Sequence, residues 1–246
     1  MDKRSITTLA AVILLLAFAF AFRIDGVVTL QNWFTNFLII FVLVAISILA
    51  HYFAQLKLAE RYLIAVESQI FAFGAILTLV LTFLSNGLLI FAAPFTLSMR
   101  FGLSTGREKA AGPYYKAKIA LAGVITSLAL AVAGKLLTTY IGAIADKFVL
   151  INVALAISSL IPLITVIPAV KLLIRPGEDI AQYATGDHIF FGSRPLWLFS
   201  FVFVTTVGLG LLLFDSLYLL IAIGFIIAAS AWLSWLYLFE GFKPKP

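Results

Sequence analysis

The chain has 246 residues, of which 63% are hydrophobic and only 11% charged, with a mean hydropathy of +1.13; a soluble domain carries roughly 25% charged residues. A water-soluble enzyme is therefore excluded, and an integral membrane protein is expected. The lack of cysteine removes disulfides, thiolate metal sites and cysteine-held iron–sulfur clusters. The net charge of +6 reads as membrane orientation, with no nucleic-acid partner expected.

A membrane-spanning helix needs about 20 mostly apolar residues. In chain order the candidates are Ile6–Phe22, Trp33–Ala50, Gln69–Leu84, Ala117–Thr138, Phe148–Leu173, Leu196–Phe214 and Ser216–Phe239. The first follows Lys3 and Arg4 and ends at Arg23 without a small-residue cleavage site, so it is expected to be a retained helix. Leu88–Met99 is apolar but only a dozen residues long and is broken by Pro94. That length suits a re-entrant segment, whose backbone must be satisfied by protein or water.

Basic residues set the orientation. If Gln69–Met99 enters the membrane and returns as one hairpin, all but Arg23, Lys135 and Lys147 of the 17 Lys and Arg fall on one side. The positive-inside rule makes that side cytoplasmic. The expected fold is an all-α polytopic membrane protein with six transmembrane helices plus one re-entrant, strand-like hairpin. It forms a single domain over residues 1–246, with an N-terminal helix in 1–30 and a C-terminal helix pair in 195–240. Both termini are expected in the cytoplasm, the chain in the cell membrane, and the lipid bilayer around it.

Chemistry-bearing residues are few. Only His51 and His188 are available as imidazole ligands. His51 is expected at the cytoplasmic end of the second span. The loop Arg175–Arg194, with Glu178, Asp179, Asp187 and His188, is expected on the same side, so a ligand set of His51, Asp187 and His188 is geometrically open. Zinc accepts two nitrogens and an oxygen with a free fourth position. Glu67 is expected at the interface beside Arg61. Arg107, Lys109, Lys116 and Lys118 form a basic cluster suited to topology anchoring or to anionic lipid. Trp197 and Tyr218 fit interfacial aromatic belts. Gly208, Gly210, Gly224 and Ala228 mark close helix packing, and Asp215 a tight turn. There is no internal repeat of the kind secondary transporters show.

Four stretches carry a family resemblance. Ala50-His51-Tyr52-Phe53-Ala54-Gln55, followed by Ala59-Glu60-Arg61-Tyr62, is similar to a zinc-protease helix of the H-E-x-x-H type, in which two histidines one turn apart hold zinc and the glutamate activates its water. Phe91-Ala92-Ala93-Pro94 is similar to an F-A-A-P-G segment. Lys118-Ile119-Ala120-Leu121-Ala122-Gly123 is similar to a K-I-x-L-A-G-P run, and Asn152 to Leu163 with Asp187 to Arg194 to an N-x-x-L-A-x-F-N-L-L-P-L run and a D-G-x-x-I-F-F-G-S-R segment. Together they resemble the site-2 protease family of intramembrane zinc metalloproteases, in its archaeal-type form, over roughly residues 45 to 200.

The resemblance implies His51 and Asp187 as zinc ligands, and Phe91 to Pro94 as a sheet-like element where a substrate strand adds. The departures lie in the chemistry. Tyr52 stands where the catalytic glutamate would be, and a phenol with a pKa near 10 is no comparable base. Gln55 replaces the second histidine. Val124 replaces a proline, Ser127 a substrate-holding asparagine, Ser159 another asparagine, and His188 a glycine.

The expected function is accordingly a catalytically inactive pseudoprotease that binds transmembrane segments of partner proteins. No cofactor is expected unless His51 and Asp187 form a zinc site. The alternatives are an active intramembrane zinc peptidase with a rearranged site, completed by Gln55 or His188 with Glu60 as base, and a small transport or assembly subunit. Glu60 lies nine residues after His51, on roughly the opposite helix face.

Overall fold

The computed structural model describes residues 3–22, 29–101, 108–163, 184–214 and 216–237. Arg23, Arg107, Lys171, Arg175, Glu178, Asp179, Asp215, Phe239, Lys243 and Lys245 lie outside the described residues, as does the second half of the expected fifth span.

The chain is mostly helical. α1 (Lys3–Ala21) and α2 (Leu30–Arg61) pack side by side. The Thr29 hydroxyl starts α2 by accepting from the Asn32 N–H at 3.2 Å, which satisfies one of the donors a helix start leaves open. Along α2, Phe34, Leu38, Val42, Ile46 and Phe53 are exposed, whereas Ile40, Val44, Ser47, Ile48, His51, Tyr52, Gln55 and Ala59 are buried. An outward stripe made wholly of large apolar groups is what lipid, not water, favours. At 32 residues α2 runs well past the expected end at Ala50. His51 therefore sits inside the helix, not at its tip, because the polar residues after Ala50 continue a helix that tertiary packing holds.

The expected hairpin is present in a mixed form. β1 (Ile64–Ile70) pairs antiparallel with β2 (Phe95–Phe101), Ile64 opposite Phe101 and Ile70 opposite Phe95. Between them α3 (Ala72–Leu84) leads to Asn86 and Gly87, both at positive φ, which reverse the chain. The two-stranded sheet is the form the expected strand-like hairpin takes in an otherwise helical chain. Gln69–Leu84 is divided between strand and helix because Val66, Ile70 and Phe71 favour extended backbone.

Ser68 in β1 donates to the Ser5 carbonyl at 3.2 Å, while Phe83 at the end of α3 meets Phe22 at 5.1 Å between ring centroids. α3 therefore follows α1 from one end to the other, and the strand pairing returns the segment to the end it left. Phe95, Leu97 and Met99 turn one face of β2 into the core.

α4 (Glu108–Ile141) and α5 (Ala143–Ser158) form an antiparallel pair joined at Gly142, whose φ of +52 a side chain would strain. α5 starts earlier than the expected Phe148 and ends at Ser158, with Pro162 just beyond. α6 (Thr185–Gly192) lies on α4, where Gly192 meets the Pro113 carbonyl and Ala117. α7 (Arg194–Leu213) and α8 (Leu217–Trp235) form the expected C-terminal pair. Gly224 faces Val207, and Gly210 faces Leu220.

Among the described residues four helices, Leu30–Arg61, Gly112–Ile141, Arg194–Leu213 and Leu217–Trp235, are long and apolar enough to cross a membrane; Ser5–Ala21 and Ala72–Leu84 are shorter apolar helices. The architecture is that of a multi-pass helical membrane protein.

Candidate functional site

Ser47, His51 and Gln55 recur every fourth residue, so they share one buried face of α2. This face meets α4 and α5. His51 is fully buried, with Nδ1 2.9 Å from Ser127 Oγ on α4 and Nε2 3.2 Å from the Gln55 side-chain nitrogen. Gln55 Nε2 also donates to the Ala120 carbonyl at 3.3 Å. An amide N–H facing Nε2 makes that ring nitrogen the acceptor. The network thereby assigns the proton to Nδ1, which donates to Ser127. The Phe95 ring meets the imidazole edge-on at 5.6 Å.

Gly123 lies one turn before Ser127 on the same face of α4. A Cβ there would overlap the His51 ring and lie 2.6 Å from Gln55 Nε2, so the α4 backbone itself closes over the imidazole. One turn back along α2, Ser47 accepts from Asn152 Nδ2 at 2.9 Å, and Asn152 also donates to the Phe148 carbonyl. Gln55 Oε1 and Asn152 Oδ1 are buried with no hydrogen-bond partner. The result is a polar seam through an apolar bundle, with each rung crossing between helices. Such groups are expensive to bury unless bonded.

Tyr52, at the expected glutamate position, is buried in the core. Glu60 is exposed and lies 3.7 Å from Lys57, away from His51 as its spacing predicts. Phe91, Ala92 and Ala93 are also buried. The Phe91 carbonyl accepts from Thr78, the Ala92 N–H donates to Ser158 Oγ at 3.0 Å, and the Pro94 carbonyl accepts from the Phe71 N–H at 2.9 Å. Ala93 presses its carbonyl against Gly74. This segment's polar backbone is thus taken up by the chain itself.

Asp187 and His188, expected in a loop, lie in α6. A helix forms there because Asp187 Oδ2 accepts from the Ala184 N–H at 3.1 Å, covering a donor the helix start would leave open, and because Gly186 lets it sit against Leu160 and Ile161. His188 hydrogen-bonds the Leu97 backbone on β2.

A zinc ion held by His51 needs further ligands around a free ring nitrogen. Among the described residues no three His, Asp or Glu side chains converge, Nε2 faces an N–H donor, and Gly123 closes that side. The donor set as arranged does not fit zinc. What it fits is a lock between α2, α4 and α5.

Sequence reasoning singled out His51, Gln55 and Ser127, and these three meet. It did not single out Ser47 or Asn152 as partners; their signal was polarity at a four-residue spacing inside apolar runs. No protein-family model, curated protein or solved structure matches the chain.

His188 carries a pH prediction. Burial, reinforced by the charge of Lys116, pushes its pKa down to about 4, against an opposing hydrogen bond to Leu97. The unfolded chain would take up the proton near the ordinary 6.5, so it binds more protons than the folded chain between those values. Stability is then full above about pH 6.5 and falls as pH drops towards 4. Thermal unfolding in detergent across this range should show that loss, and His188→Gln should flatten it. An unchanged slope in the variant would remove His188 as the source.

Proposed function

We propose that this chain is a non-cleaving membrane protein of site-2-protease-like design, which engages transmembrane segments of partner proteins. The observation that carries the reading is the His51 ring: both its nitrogens are committed to Ser127 and Gln55, and Gly123 closes over it. An imidazole held so serves packing between α2 and α4. Buried Tyr52 in place of a carboxylate agrees, since among the described residues the ring bonds a hydroxyl and an amide and no carboxylate. Partner engagement rests on the large apolar surface that α2 and α8 leave outward, where helix-to-helix contact in lipid can form through close packing.

The experiment incubates detergent-purified protein with a transmembrane substrate in lipid vesicles, with and without added zinc, and cross-links a photoreactive transmembrane peptide to the same preparation. The expected result is no cleavage, less than one zinc per chain after dialysis, and peptide cross-linked to the outward faces of α2 or α8. Cleavage that disappears in His51→Ala would establish the peptidase instead, and absence of any cross-link would remove the binding role.

A further inference from the structure

The bonds between α2 and α4 run in antiparallel order: His51 to Ser127, Gln55 to Ala120, and Tyr62 against Tyr115 at 4.7 Å between ring centroids. The last turns of α2 are therefore beside the first turns of α4, which puts Lys57 and Arg61 at the same end as Lys116 and Lys118. Gly192 seats the end of α6 on Pro113, so Arg194, which opens α7, joins the same end. Among the described side chains, the carboxylates against these five cations are Glu60, beside Lys57, and Glu67 on β1.

Aromatic rings interleave with the charges. The Lys118 ammonium lies 4.4 Å from the centre of the exposed Tyr114 ring, and the Arg194 guanidinium 5.5 Å from that of Phe190. Tyr62 and Tyr115 meet at a tilt where α2 and α4 come together. Cations held by rings at the mouth of an apolar bundle match a headgroup layer, where aromatic rings settle and basic side chains meet phosphate.

We propose that this end of the bundle, formed by Arg61, Lys116 and Lys118 with Tyr62 and Tyr114, binds the phosphate headgroup of an anionic phospholipid. The occupant is a lipid and not a soluble anion, because the outward apolar stripe of α2 runs up to Phe53, close to this end, and offers acyl chains a surface. The site is separate from the His51 seam and does not depend on the function proposed above.

The test titrates delipidated full-length protein in detergent with phosphatidylglycerol and with phosphatidylcholine, counting retained lipid by native mass spectrometry. Phosphatidylglycerol should be retained in preference, and each of Arg61→Gln and Lys118→Gln should weaken that preference about fivefold, the effect of one basic residue near an anionic surface. Lys118→Arg should keep the preference, and Lys135→Gln, at the far end of α4, should leave it unchanged. Equal retention of both lipids would overturn the proposal. So would a loss of preference in Lys135→Gln equal to that in Lys118→Gln, or full displacement of the lipid by inorganic phosphate at equal concentration.

Discussion

Gly123→Leu is expected to cost the bundle a large part of its stability. Even the first added carbon would overlap the His51 ring and the Gln55 amide, and neither side can yield easily, since both are held by Ser127 and the Ala120 carbonyl. Overpacking of this kind costs about 1–3 kcal/mol, occasionally more, and the larger side chain belongs at the upper end. Gly123→Ala separates the two opposing effects. In a helix interior alanine is favoured over glycine by about 1 kcal/mol, so a stabilised alanine variant would mean that α4 does not sit against the ring. A destabilised one would mean that the close approach outweighs propensity. Thermal unfolding in detergent, read from tryptophan fluorescence, gives the sign directly.

His51→Ala is the second. It empties a fully buried ring volume, takes from Ser127 its ring partner and leaves Gln55 with the Ala120 carbonyl alone. Cavity formation with such orphaned groups costs about 2–5 kcal/mol. Ser127→Ala alone should cost less, because a single interhelical hydrogen bond in a membrane protein is worth about 0.6 kcal/mol on average. The double variant should fall short of the sum, since both changes remove the same contact. Zinc distinguishes the lock from a metal site on the same samples. An ion bound only to the folded chain, present at 100 times its Kd, would add about 2.7 kcal/mol. The unfolding midpoint of the wild type is expected not to move. A rise that His51→Ala abolishes would make His51 a ligand.

Much of the fold was legible because lipid imposes a simple demand. A segment that crosses hydrocarbon must be apolar and must bond its own backbone, so the apolar runs of α2, α4, α7 and α8 stand out without knowledge of their neighbours. The hairpin was legible for the same reason in reverse: Leu88–Met99 is too short to cross, and its strand pairing with β1 satisfies backbone that a helix would otherwise satisfy. Helix ends were less legible. α2 continues to Arg61 because Gln55 and Ala59 bury against α4, which no local signal announces. Asp187 reads as a solvated loop residue until Gly186 is seen to bring α6 onto Leu160 and Ile161, where the carboxylate covers an open N–H.

The sequence by itself determined that this is a multi-pass membrane chain with apolar helices and few polar groups inside them, His51 among those few. Tertiary structure alone decided what that histidine does. His51, Ser127 and Gly123 are more than 70 residues apart in pairing across α2 and α4, and the use of both ring nitrogens depends on where α4 comes to rest. Hydrophobic periodicity is local and survives in the sequence. Hydrogen-bond partnership between helices depends on their register and distance, which only packing sets.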